Sequence, residues 1–401
     1  MDLKKIQSLY QASETKIIML VIDGLGGLPH EETGLTELET AHTPNMDALA
    51  AKSICGLHTP VGDGITPGSG PAHLGIFGYD PMQYQVGRGT LGALGINFDL
   101  GPEDVAARGN FCTIDENGQV TDRRAGRIST EKCEELCRLL EKIELPDIRI
   151  FISPVQDYRF VVVFRGKGLS ADISDTDPQA TGKAPLDPDP LNDKAGTTAD
   201  RVRQFIDQAR DILKDRHPAN MVLLRGFSKL PDWPQMPDLY GLRCAAIAAY
   251  PMYRGLSRLV GMEILDTGNT LEDEIQTLEA GFNDFDFFYI HVKPVDSAGE
   301  DGDFDRKVSL IEEADTLFPE IKDLKPDVLL VTGDHSTPAA LKSHSWHPVP
   351  VILYSDCCRP DKVTQFGERA CLAGALGPRL PATHLMPLAL ANARRLKKFG
   401  A

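Results

Sequence analysis

Three apolar runs of strand length each deliver an acidic residue at or just beyond their carboxyl end. Ile17-Ile18-Met19-Leu20-Val21-Ile22 is followed at once by Asp23. The run from Phe285 to Val292 is followed by Lys293 and then Asp296. The run from Asp327 to Thr332 is followed by Gly333, Asp334 and His335. Short, near-continuous apolar runs suit strands buried on both faces of a parallel sheet, and open α/β sheets bind ligands at the carboxyl ends of such strands. Carboxylates from distant parts of the chain are therefore expected to converge. Like charges at close range repel, so a divalent cation is the simplest partner. His335, His344 and His347 add imidazoles in the same region, completing a nitrogen and oxygen donor set suited to Zn or Mn.

Ser69 is the candidate nucleophile. It lies in Thr66-Pro67-Gly68-Ser69-Gly70-Pro71-Ala72-His73. Glycine on both sides exposes the hydroxyl, and Pro71 suits the first turn of a helix. A helix N-terminus favours an alkoxide or phosphate, and a metal would activate the hydroxyl further; an ordinary N-cap is the competing reading. The turn Asp23-Gly24-Leu25-Gly26-Gly27 allows close backbone approach and does not match the G-x-G-x-x-G dinucleotide pattern. Basic residues gather in Asp122-Arg123-Arg124-Ala125-Gly126-Arg127. Arginine forks grip carboxylate and phosphate in bidentate fashion. Arg159, Arg165, Arg225 and Lys293 are further candidates, with Arg165 and Arg225 reading more simply as surface residues.

The elements that must position these groups read as α/β. Strands are expected over Arg149–Ile152, Arg159–Phe164, Asn220–Leu224 and Val349–Tyr354. Helices are expected from Pro44 to Lys52 and over Thr130–Lys142, Ala199–Arg216, Phe304–Leu324 (with Pro319 as a bend or break) and His384–Lys397. Residues 60–95, crowded with Gly and Pro, and residues 172–193 read as loops. Because Asp23 must meet Asp296 and Asp334, residues 1–95 and 285–401 are expected to form one discontinuous domain. Residues 96–284 would then be an inserted, smaller α/β (α+β) domain, with a cleft for substrate between the two.

The 401 residues carry 58 acidic and 42 basic side chains, a net charge of −16, which argues against nucleic acid as a partner. No apolar run reaches the roughly 20 residues of a membrane span, and no secretory signal pattern opens the chain. Eight cysteines without a framework suit free thiols in a reducing cytoplasm.

Taken together, the chain resembles the archaeal-type, 2,3-bisphosphoglycerate-independent (cofactor-independent) phosphoglycerate mutases of the alkaline phosphatase superfamily. The anchors are Val21-Ile22-Asp23-Gly24, Thr43-Pro44-Asn45-Met46-Asp47, Gly64 to His73, Gly87-Arg88-Gly89, Arg108-Gly109-Asn110-Phe111, Asp122 to Ile128, Asp334-His335-Ser336-Thr337-Pro338, and His344-Ser345 with Pro348-Val349-Pro350. The resemblance implies an alkaline-phosphatase-like, mostly parallel sheet flanked by helices. It also implies interconversion of 3- and 2-phosphoglycerate through a phosphoserine on Ser69. Two divalent metals are implied, Mn first, with Mg, Co or Zn as alternatives, and no bisphosphoglycerate. Asp23, Ser69, Asp334 and His335 would hold one metal, and Asp296 and His344 the other. Glu300 stands where the family pattern has a histidine ligand and would supply oxygen instead. Asp122, Arg123, Arg124, Arg127, Arg159 and Lys293 would bind substrate, and the inserted domain would act as a lid. A phosphatase, or a homoserine-kinase-like phosphotransferase, is the alternative on the same scaffold. The setting would be cytoplasmic, and homo-oligomer formation is left open.

Overall fold

The computed structural model describes residues 3–400. Its strands, in chain order, are β1 (Ile17–Ile22), β2 (Ile54–Thr59), β3 (Asp104–Ile114), β4 (Val120–Asp122), β5 (Arg149–Gln156), β6 (Arg159–Arg165), β7 (Met221–Ser228), β8 (Cys244–Ile247), β9 (Glu263–Leu265), β10 (Phe287–Val292), β11 (Val328–Thr332), β12 (Val349–Ser355) and β13 (Gly377–Pro381). They form an eight-stranded and a five-stranded sheet, each within its own compact unit.

The larger unit holds the sheet ordered β13-β2-β12-β11-β1-β10-β8-β9. The three runs that precede the acidic residues are its central strands: β1 pairs in parallel with β10 on one side and β11 on the other. All residues of these three strands are buried, which explains why their sequences are continuously apolar rather than alternating. Truncating one of them, for example Leu20→Ala, should cost roughly 2–5 kcal/mol. Parallel pairing places the carboxyl ends of β1, β10 and β11 side by side, with Ile22 opposite Val292 and Val21 opposite Thr332. β12 runs antiparallel to β11, so the segment before it, carrying His344, returns to that same edge.

The smaller unit is an antiparallel sheet in which β3 pairs with β4, β6 and β7, and β6 with β5. The amphipathic helices Thr130–Leu140 and Gly196–Leu213 bury Leu136, Leu140, Val202, Phe205 and Leu213 in its core.

The α/β class is as expected, but the units meet the chain elsewhere than the sequence suggests. They divide at 85/86 and 232/233, not at 95/96 and 284/285. Helix Arg88–Gly95 packs on β3 and β7 of the smaller sheet, while β8 and β9 extend the larger sheet beyond β10. Within residues 60–95, read as loops, the helices Ser69–Ile76 and Arg88–Gly95 form despite their glycines. The expected helix from Phe304 to Leu324 is two, Phe304–Asp315 and Phe318–Asp323, with Pro319 in the first turn of the second. The last helix stops at Asn392, short of Lys397. All eight cysteines are free, and no helix among the described residues is long and apolar enough to cross a membrane.

Candidate active site

Asp23 is the first residue after β1 and is fully buried. The turn that follows needs Gly24, whose φ is +67° and where a Cβ would lie 2.9 Å from the Cα of Asp296. The close approach anticipated for this glycine turn is therefore to the protein's own chain. The Gly24 amide donates to Asp334 Oδ1 at 3.2 Å, tying the ends of β1 and β11 together.

Each carboxylate has one satisfied and one orphaned oxygen. Asp23 Oδ2 accepts from Tyr253 Oη at 2.5 Å and lies 3.2 Å from both Lys293 Nζ and His291 Nε2. Asp23 Oδ1 and Asp334 Oδ2 are buried without a hydrogen-bond partner. Between them stands His335 Nε2, 3.5 Å from the first and 3.1 Å from the second. Thr337 fixes the ring. Its hydroxyl donates to Asp296 Oδ1 at 2.7 Å, so at 3.0 Å from His335 Nδ1 it can only accept. The proton thus sits on Nδ1 and the lone pair of Nε2 faces the carboxylates. Burial lowers the pKa of this histidine, keeping it neutral.

Burial pushes Asp334 up to about 8, aided by the charge of Asp23. Burial acts on Asp23 in the same direction, but Lys293, His291 and His335 outweigh it and hold Asp23 well below the usual carboxylate range. Without a cation, two carboxyl groups this close resist carrying two negative charges. Three acceptor atoms facing one another are what a cation site needs, and ligand atoms of Asp23, Asp334 and His335 all lie within 4.8 Å of one another.

Ser69 closes this group. It is the first residue of the helix Ser69–Ile76, whose N-cap is Gly68. Its hydroxyl is not used as a cap; it lies 3.3 Å from His335 Nε2. Four residues on, His73 donates from Nδ1 to the Ser69 carbonyl at 2.8 Å and passes 3.3 Å from Asp334 Oδ2.

A second group adjoins the first. His344 stacks on His335 with ring centroids 3.7 Å apart. Its Nδ1 donates to the Pro67 carbonyl at 2.9 Å, leaving Nε2 to face Asp296 Oδ1 at 3.6 Å and Glu300 Oε1 at 3.7 Å. Asp296 and Glu300 lie one turn apart on the helix Pro294–Asp301 that follows β10. Ligand atoms of Asp296, His335 and His344 also lie within 4.8 Å of one another. Glu300 stands outside that tight set, and its side chain is 55% exposed. Burial and the charge of Asp296 raise its pKa. His347 stays out of the group, bonded to Ser345 Oγ and stacked on Trp346.

Lys293 is enclosed by acid rather than presented to solvent: its ammonium bonds Asp296 Oδ2 as well as approaching Asp23. Burial acts to lower its pKa, but these two carboxylates raise it above its ordinary value.

The smaller unit gathers positive charge. Arg108 on β3 stands opposite Arg225 on β7, and Asn110 opposite Arg159 on β6, so Arg108, Arg225 and Arg159 share one face of the sheet. Arg108 is pulled down to about 10 by burial and by Arg88, Arg159 and Arg225, and its Nε has no partner. Asp175 and Asp177 lie 3.6 and 3.5 Å from Arg225. This face differs from the expected run at residues 122–127. Arg123 is committed to the buried Asp177 by a fork with contacts of 2.9 and 2.6 Å. Asp122 accepts from the amides of Arg124 and Gly126 and shapes the turn. Arg124 and Arg127 are exposed. Arg165 is held by Asp104 in a second fork.

Residues 50–220 match the family model described as 2,3-bisphosphoglycerate-independent phosphoglycerate mutase. A Thermotoga neapolitana protein named as a probable enzyme of that kind is 52% identical over 400 residues, covering 99% of both chains. The chain belongs to this family of phosphoglycerate mutases. An Aquifex aeolicus relative of the same name is 49% identical, again over 99% of both chains. A cofactor-independent phosphoglycerate mutase from Thermoplasma acidophilum is similar in structure, with a TM-score of 0.72 and 29% identity over 94% of this chain and 100% of the other. A Pyrococcus horikoshii protein gives a TM-score of 0.84 and 29% identity over 97% and 100%.

Sequence reasoning missed several residues that the fold places around the site. Tyr253, Tyr289 and His291 form with His73 a buried aromatic layer against Asp23 and Asp334, in which Tyr253 stacks on His291 at 3.6 Å. Tyr289 and His291 were recoverable, because they alternate on one face of β10 just before Lys293. Arg108 was visible as part of a motif but carried no sign of its three arginine neighbours.

Proposed function

We propose that this chain interconverts 3-phosphoglycerate and 2-phosphoglycerate by passing the phosphoryl group through Ser69. The observation that carries this reading is the pair of buried, unpartnered oxygens Asp23 Oδ1 and Asp334 Oδ2, converging with the His335 Nε2 lone pair beside the Ser69 hydroxyl. That donor set fits a divalent cation. One ion, Mn first, would be held by Asp23, Ser69, Asp334 and His335, and a second by Asp296, His344 and Glu300. Bound there, they would lower the pKa of the serine hydroxyl and offset negative charge on the phosphoryl oxygens.

The chain's own groups do the rest. Ser69 Oγ attacks phosphorus, the bond to the 3-oxygen of glycerate breaks, and that oxygen leaves with the electron pair and gains a proton. Glycerate then presents its 2-oxygen, which attacks the phosphoserine and frees Ser69. The N-terminal amides of the helix Ser69–Ile76 favour the phosphate. Arg108, Arg159 and Arg225 would hold the carboxylate and phosphate of the substrate by charge-assisted forks. We assign the smaller unit the role of a lid that keeps water from the phosphoserine. A cytoplasmic setting belongs to the same reading.

The test is a coupled assay on Mn-loaded protein with 3-phosphoglycerate and enolase, without bisphosphoglycerate, while free phosphate is followed. The expected result is 2-phosphoglycerate with no phosphate released, and neither from Ser69→Ala. Stoichiometric phosphate release would instead identify a hydrolase on this scaffold.

A further inference from the structure

We propose that Tyr253 is the positioning residue of the site, fixing the plane of the Asp23 carboxylate so that one oxygen points at a cation. This rests on the reading of Asp23 as a metal ligand.

Tyr253 lies in the helix Pro251–Leu259 of the larger unit and is 1% exposed. Its hydroxyl donates to Asp23 Oδ2 at 2.5 Å. The ring is clamped: it stacks on His291 at 3.6 Å and 29°, tilts against His73 at 4.9 Å and contacts Tyr250 at 5.8 Å. A short hydrogen bond from a clamped aromatic ring fixes its acceptor in direction as well as in distance.

The consequence is the asymmetry of Asp23. Oδ2 is occupied by Tyr253, with Lys293 and His291 each 3.2 Å away. Oδ1 is buried, unpartnered and 3.5 Å from His335 Nε2. A half-turn about Cβ–Cγ only exchanges equivalent oxygens, but a quarter-turn would swing both out of these positions, breaking the Tyr253 bond and turning the free oxygen away from His335 Nε2. Lys293 alone is a weaker guide, because its ammonium is shared with Asp296 on a flexible stem. Asp334 has no such side-chain donor; a backbone amide holds it.

The variant Tyr253→Phe deletes the hydroxyl and keeps the stacked ring. Calorimetric titration of Mn into the metal-free protein should show one site weakened about 10–100-fold, the range typical for loss of an outer-shell partner, with the other unchanged. The Mn concentration giving half-maximal turnover should rise in parallel, and kcat at saturating Mn should stay within a few-fold of the parent. Unchanged Mn affinities at both sites would overturn the proposal. A lowered melting temperature with unchanged affinities would also overturn it, leaving Tyr253 a packing residue. Asp23→Asn is the control. If that variant loses a site while Tyr253→Phe does not, only the positioning role fails. If Asp23→Asn keeps both sites, the metal reading fails first.

Discussion

The larger and smaller units each concentrate charge of one sign, and they tolerate it by different means. At the carboxyl edge of the larger sheet, Asp23 and Asp334 are fully buried with Asp296 beside them; burial, aided by the charge of Asp23, pushes Asp334 up to about 8, while Lys293 and His291 hold Asp23 low. On the smaller sheet Arg108, Arg159 and Arg225 share a face, and burial together with the neighbouring arginines draws Arg108 down to about 10. The acidic group is backed by packed aromatic rings and short turns. The basic group is eased by Asp175 and Asp177. The difference fits what each would bind: small cations need fixed donors at short range, while a phosphorylated acid is met by flexible forks.

The sharpest way to break the comparison is at the nucleophile. Ser69→Ala should abolish turnover in the coupled assay while Mn binding, measured separately, is only partly weakened; retained activity would remove the phosphoserine. Arg108→Gln should act on the other side alone. It should raise the KM for 3-phosphoglycerate roughly 10–100-fold, the loss of about 1.5–3 kcal/mol expected for a hydrogen bond to a charged group, with Mn affinities unchanged. A change in Mn binding in that variant would show that the two groups are not separable.

Stability offers a third test, away from both groups. Burial raises Glu274 to about 8, and its Oε2 is buried without a partner. Its folded value lies above that of an exposed glutamate, so its contribution is fully present below about pH 4.5 and is lost as pH rises through about 8. The melting temperature should fall over that window, and Glu274→Gln should flatten the fall. The smallest expected effect is at Glu300. Because it stands at the open margin of its group, Glu300→His should leave turnover within a few-fold of the parent or raise it. Complete loss of activity in a folded Glu300→His protein would give Glu300 a role beyond holding a cation.

The acidic group was legible because it depends on local pattern. Asp23, Asp296 and Asp334 follow strands whose continuous apolar runs mark them as central, and parallel pairing then leaves them no other edge to occupy. Ser69 and His344 were legible from composition and motif. The basic group was not, because it depends on pairing between distant strands. Arg225 reads as a surface residue until β7 is laid against β3, while Arg123, in the most conspicuous basic run, is taken by Asp177 from a loop far along the chain. The unit boundary was misplaced for a related reason. β8 is the four-residue run Cys244-Ala245-Ala246-Ile247, short and alanine-rich, with little strand propensity of its own; the larger sheet recruits it. Tyr253 follows β8 into the larger unit, and nothing around it in the sequence announces Asp23 as its partner.

The account turns on Ser69 carrying the phosphoryl group between the two hydroxyls of glycerate. The direct measurement is to quench Mn-loaded protein during turnover of phosphoglycerate labelled in its phosphoryl group and map the label by peptide mass spectrometry. The account predicts label on the peptide containing Ser69, none in Ser69→Ala, and label passing to product without appearing as free phosphate. Turnover with no labelled Ser69, or label lodged on another residue, would contradict it.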